Sequence, residues 1–302
     1  MLDKIKVVLI DTDIWSGRKP LTDSDLKMSA GQELPPANLA TLGSKLVMDP
    51  VKLAIFMKLK ASAHRACLRV GVRFLNAYAI PEEKLDDLMT ALAAIGHQFE
   101  AAKSEFLAGY QEALDEWVSQ NAGWETIIKS SALAPEEVNS RLKFQTQVIE
   151  ISPVTGHEDG LKKEISGLPG QLRKEIEQLA VRTWKESFYG RTVVTQKAIR
   201  PLRTMLAKIE GLMFLEPELV TLVGQLKASF ASIPAKGLID GPGLVAAAGI
   251  LSVLGNIPEA VISIAEPEPE LELELPFEQG EAEANDNDLP APAIPAIPAA
   301  WF

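Results

Sequence analysis

The sequence predicts a mainly α protein: an elongated helical bundle with long antiparallel helices, a small N-terminal β element and a disordered C-terminal tail. Three observations lead there. Apolar residues between Pro81 and Val118 recur at steps of three or four, which puts them on one face of a helix. The run Ile5-Lys6-Val7-Val8-Leu9-Ile10 is β-branched and apolar and reads as a strand. Residues 265–302 hold ten acidic side chains and no Lys or Arg. The boundaries expected are a β/loop element over 1–48 packed on the body, a long-helix bundle over 49–264, and the tail over 265–302.

The tail carries almost all of the net charge. The chain has 41 acidic and 30 basic residues, and setting the ten tail carboxylates aside leaves 31 acids, so the body is close to neutral. Its low isoelectric point therefore does not exclude basic patches on the body. The single cysteine, Cys67, excludes an internal disulfide framework and fits a reducing compartment. The apolar positions before Asp11 are too few for a signal-peptide core, and a cytoplasmic location is expected.

In chain order, the strand at residues 5–10 should end in a loop at Asp11-Thr12-Asp13, and a second short strand is expected at Lys45-Leu46-Val47-Met48. The intervening segment, with Trp15-Ser16-Gly17-Arg18-Lys19-Pro20 and Glu33-Leu34-Pro35-Pro36, reads as loop. Asp49-Pro50 should start a helix, because Asp49 can accept first-turn amides and Pro50 at the first position loses no helical hydrogen bond. The periodic run after Ile80-Pro81-Glu82-Glu83 would make a helix about 57 Å long if unbroken, with Gly96 and Gly109 as weak points. Ala134-Pro135-Glu136-Glu137 starts another helix, and Val148-Ile149-Glu150-Ile151 could be a short strand joining the N-terminal ones. A second long helix is expected from Pro169, antiparallel to the first. Further helical runs follow Gly190, with breaks near Pro217 and Pro234. Leu244–Leu254 spans only about 16 Å as a helix and reads first as core, with a membrane-entering hairpin as the alternative.

The strand followed by Asp11 and Asp13 is similar to the haloacid-dehalogenase pattern, in which one carboxylate attacks phosphorus and the other handles the proton. The match ends there: Trp15 departs from the pattern, and no β/α series follows. His64 and Cys67, three apart on a helix, could share a metal, with His97 or His157 as distant candidates, but two ligands do not make a zinc site. No Ser-His-Asp arrangement, Walker loop or dinucleotide glycine pattern stands out. Hence no catalytic residue, metal or cofactor is expected.

The candidate partner-binding residues are Trp15, Arg18, Lys19, Trp301 and Phe302. In the loop, an aromatic ring beside a flexible glycine and two cations suits an anion or nucleic acid. The structural reading of Trp15 is that it packs on the helices while Ser16-Gly17 makes the turn. A second basic stretch runs through Arg182, Lys185, Arg191, Lys197, Arg200, Arg203 and Lys208, tempered by Glu186 and Glu210. In the tail, acidic spacers followed by Trp301-Phe302 suit a tethered recruitment peptide entering an apolar pocket with a basic rim.

The segment Trp15-Ser16-Gly17-Arg18-Lys19-Pro20-Leu21, behind a short strand and ahead of a long helical body, resembles a bacterial domain of unknown function, family 3150. The resemblance covers most of the body and excludes the tail. It implies a product of plasmids, phages or integrative elements, often encoded near a MoxR-type AAA+ ATPase and a von Willebrand A-type protein. It transfers no catalytic residue. The resulting expectation is a non-enzymatic scaffold or adaptor with protein partners. Alternatives are a membrane-active helical bundle, or a nucleic-acid-binding accessory protein acting through Arg18, Lys19 and the stretch near Arg191.

Overall fold

The structure, a computed structural model, describes residues 4–22, 25 and 43–256. The expectations for Glu33-Leu34-Pro35-Pro36 and for the acidic tail with Trp301 and Phe302 lie outside the described residues. Mostly helical, the described chain is built around a small antiparallel sheet. Strand β1 (Ile5–Ile14) is followed by β2 (Arg18–Pro20) and β3 (Ser44–Leu46), which pair with each other. Helix α1 (Pro50–Val70) leads into the hairpin β4 (Val72–Phe74) and β5 (Ala77–Pro81). Then come α2 (Leu85–Ala108), α3 (Tyr110–Gln120), α4 (Glu125–Ser131) and α5 (Pro135–Ser140). Strand β6 (Leu142–Ile149) precedes α6 (Asp159–Ser187), β7 (Val194–Thr195), α7 (Gln196–Leu212), α8 (Pro217–Ala231), β8 (Leu238–Ile239) and α9 (Gly241–Gly255).

The main sheet has the order β4-β5-β1-β6. Because strand side chains alternate, β1 feeds two cores. Ile5 and Val7, with Phe74 and Ala79, join the core containing Leu172 and Ile176 of α6 and the helices that follow. Val8, with Tyr78 and Ile80, packs with Ala63 and Cys67 of α1 and Leu88 and Leu92 of α2. A third core gathers Trp15, Met48, Phe56, Phe99, Tyr110 and Leu142, and is aromatic-rich: Phe56 and Phe99 centroids lie 5.0 Å apart. Residues of β5 are buried along its whole length, as expected when helices cover both faces of a sheet.

Local chemistry explains the joints. Asp49 accepts the Val51 amide at 2.9 Å, and Pro50 opens α1 as expected. Gly71 ends α1 where the backbone passes so close to β5 that a Cβ would lie 2.3 Å from Ile80 Cδ1 and 2.4 Å from the Ala79 carbonyl oxygen. The β4–β5 turn places Leu75 and Asn76 at φ of 47° and 61°, the signature of a two-residue type I′ hairpin.

Several expectations are corrected. Strand β1 does not stop at Ile10, because β6 pairs with it continuously from Val7 to Ile14, so Asp11 and Asp13 lie within the strand. The run after Pro81 is a short 3-10 turn and two helices, since the chain breaks at Gly109. Gly96 sits inside α2, where it faces the Phe144 ring. Helix α6 begins ten residues before Pro169 and carries that proline internally. The two longest helices do not make each other's main packing: α2 lies chiefly on α1, and α6 on α9. Leu244–Leu254 falls within α9, which buries Leu244, Ala247, Ile250 and Leu251 in the core it shares with α6, α7 and α8.

Candidate functional site

The Trp15–Lys19 motif is divided between core and surface. Trp15 is only 4% exposed; its amide donates to the Arg141 carbonyl at 3.0 Å and its ring lies 6.2 Å from Tyr110. The ring belongs to the core, as in the structural reading of the motif, and its buried indole N–H has no hydrogen-bond partner among the described residues. Gly17 takes φ +67° to make the turn, and its carbonyl accepts the Val47 amide at 2.8 Å. Arg18 is exposed, with one guanidinium nitrogen 3.3 Å from Ser44 Oγ, while Lys19 is half-buried opposite Lys45. Lys45 is neutralised by Asp25, which also accepts the Thr22 amide and hydroxyl, both at 2.7 Å. Those donors, Lys45 first, hold the Asp25 carboxyl down at about 2.

Asp11 and Asp13 point from one face of β1, opposite Gln145 and Lys143 of an antiparallel neighbour. The haloacid-dehalogenase likeness is lost, since that chemistry needs carboxylates on a loop beyond a strand end. His64 and Cys67 do not form a metal site: no group of three or more His, Cys, Asp or Glu able to hold an ion occurs among the described residues. His64 Nδ1 instead lies 2.7 Å from the Tyr78 hydroxyl, and burial pushes the Cys67 thiol up to about 12, which leaves it an inert core residue.

The expected basic stretch is also split. Lys208 is buried, donating to the Leu68 carbonyl at 2.8 Å and to Glu175 Oε2 at 2.7 Å, so it ties α7 to α1 and α6. Burial lowers its pKa, and the Glu175 hydrogen bond opposes that shift. Arg182 and Lys185 stay exposed on α6, and Arg200 and Arg203 on α7.

The strongest docking geometry is one the sequence reading missed. Helix α1 turns Leu53, Phe56, Leu59, Ala63 and Cys67 inward. Its N-terminal half nevertheless exposes a second apolar pair one turn apart, Val51 at 75% and Ile55 at 42%, with Met57 exposed on another face. Beside it runs a groove of about 520 Å³ between α1 and the α2–α3 break at Gly109. Its floor includes Ile55, Ala102 and Phe106, and its rim is formed by Glu105, Glu112 and Glu116. Lys52 reaches across from α1 to Glu116 at 2.9 Å, and that hydrogen bond raises the lysine pKa. Glu105 and Glu112 form no ion pair among the described residues. An apolar floor under unneutralised carboxylates is complementary to a helix that is apolar on one side and basic at its edges. The exposed Val51 and Ile55, off the inward stripe of α1, were the available signal.

A family model described as Protein of unknown function (DUF3150) matches residues 2–256. No curated protein and no solved structure matches the chain.

Proposed function

We propose, for a chain that belongs to the DUF3150 family, a non-enzymatic adaptor role in which the α1/α2–α3 groove docks a basic amphipathic helix of a protein partner. The observation that carries this reading is the pairing of exposed Val51 and Ile55, one turn apart on α1, with a groove rimmed by Glu105 and Glu112. Large apolar side chains on an outer helix face mark interaction surfaces when they cluster. A MoxR-type AAA+ ATPase and a von Willebrand A-type protein, the partners that the resemblance implies, are the first to test. Trp301 and Phe302 would add a second, tethered contact, a reading that rests on the sequence alone. A membrane-active role would require α9 to leave its core, and no helix among the described residues is long and apolar enough to cross a membrane.

The test is binding of the purified ATPase and the purified von Willebrand A-type protein from the same genome to the full chain. Ile55→Asp and the pair Glu105→Lys with Glu112→Lys should each weaken binding at least tenfold, and deletion of Trp301-Phe302 should weaken it separately. Unchanged binding by both groove variants would remove the groove from the reading.

A further inference from the structure

Helix α1 carries Lys52, Lys58, Lys60, Arg65 and Arg69 and no carboxylate. Helix α7, packed on it, carries Lys197, Arg200, Arg203 and Lys208 with Glu210 as its single acid. Where these helices meet the start of α2, a cleft of about 350 Å³ is lined by Arg69, Lys84, Asp87, Arg203 and Thr204 over a floor that includes Leu88. Three cations from three elements thus face one carboxylate. Among the described residues Arg69 and Lys84 form no ion pair, and Arg203 has only a 3.4 Å contact to Gln196 Oε1. Lys84, Asp87 and Leu88 lie three and four residues apart on one helical face; Glu83, four residues before Asp87, borders that face but does not line the cleft.

The cations continue beyond the cleft. Arg65 lies one turn before Arg69 on the same face of α1, and Arg200 lies three residues before Arg203 on α7. Both are exposed, with Arg65 donating only to Ser62 at 2.8 Å. Residues Arg65, Arg69, Lys84, Arg203 and Arg200 therefore form a band rather than a single pocket. We infer that this band binds the sugar-phosphate backbone of a nucleic acid. Guanidinium forks match phosphate oxygens. No aromatic ring lines the cleft, so contact is with the backbone and carries little sequence preference. A band of five suits successive phosphates better than one isolated anion does.

The experiment is fluorescence anisotropy of the full chain with a labelled single-stranded oligonucleotide of about 20 nucleotides, titrated over salt concentration. Five phosphate contacts on a single strand predict a slope of log affinity against log salt of about −3.5, so affinity falls about 100-fold between 50 and 200 mM. Arg69→Glu with Arg203→Glu should lower affinity at least about 30-fold and bring the slope to about −2. Arg182→Glu with Lys185→Glu changes the net charge equally on the exposed face of α6, and should leave affinity within about threefold. If the first pair does not fold, Arg69→Gln with Arg203→Gln provides the same slope change. The inference is overturned by no binding at about 20 mM salt, by equal losses in the cleft and α6 variants, or by polyglutamate or pyrophosphate competing as well as unlabelled oligonucleotide at equal charge.

Discussion

Lys208 and Glu175 meet where α1, α6 and α7 converge; without Glu175 the buried Lys208 charge keeps only the Leu68 carbonyl, and without Lys208 the partly buried Glu175 keeps only Gln171. Glu175→Ala should cost about 3 kcal/mol, the low end for a broken buried pair because the carboxylate is partly exposed. Replacing both, Lys208→Met with Glu175→Leu, should be close to neutral, since the desolvation cost disappears together with the attraction. Urea unfolding midpoints check this, and equal losses in the single and double variants would contradict it. His64 gives a pH signature. Burial first, then Lys60 and Arg73, lower its pKa below 6.5, so the unfolded chain binds this proton more readily than the folded one. Stability from this group is complete above pH 6.5 and is lost as pH falls from there through the depressed value. His64→Gln should flatten the thermal midpoint across that window.

At the scale of elements, the β4–β5 hairpin holds Leu75 in the left-handed region, half exposed, where a branched apolar side chain gains little packing. Leu75→Asn should stabilise by about 1 kcal/mol, because asparagine tolerates that conformation and favours the type I′ turn. Thermal unfolding decides it; a lowered midpoint would show that Leu75 packs more than its exposure suggests. The same hairpin was illegible in the sequence for related reasons. Leu75-Asn76 lacks the glycine that announces such a turn, and Ala77–Pro81 does not alternate because both faces are covered. Helix starts were read well where a capping residue or proline lies at the first turn, as at Asp49-Pro50 and Pro135. The same cue misled at Pro169, which the 29-residue α6 carries inside it. The docking groove was beyond reach because its walls come from residues about 50 positions apart. By contrast, the absence of any carboxylate in α1 was readable, but its meeting with Arg203 was not.

For the molecule as a whole, the sheet is shared property: one face of β1 belongs to the core of α6–α9, the other to that of α1 and α2. The two helical layers should therefore lose structure together. Trp15 reports on one side and Trp184 on the other, so in two variants that each keep one of them as the sole tryptophan, its fluorescence should give the same midpoint as the far-UV circular dichroism of that variant. Separate transitions would mean that the sheet joins the layers without coupling them. Gly71 sits at the seam. Gly71→Ala should cost at least about 1–3 kcal/mol and shift both reporters equally, because its new methyl group would strike the backbone of β5.

The placement of β1 also sets a schedule for synthesis. Its edge partner β6 ends at Ile149, 135 residues after β1 ends at Ile14. At about 5–20 residues per second, a ribosome needs roughly 7–27 s to deliver that partner. Until β5 is made at Ala77–Pro81 both sides of the strand are unpaired, and from then until β6 arrives one side still is, which is the period in which a holdase chaperone would find it.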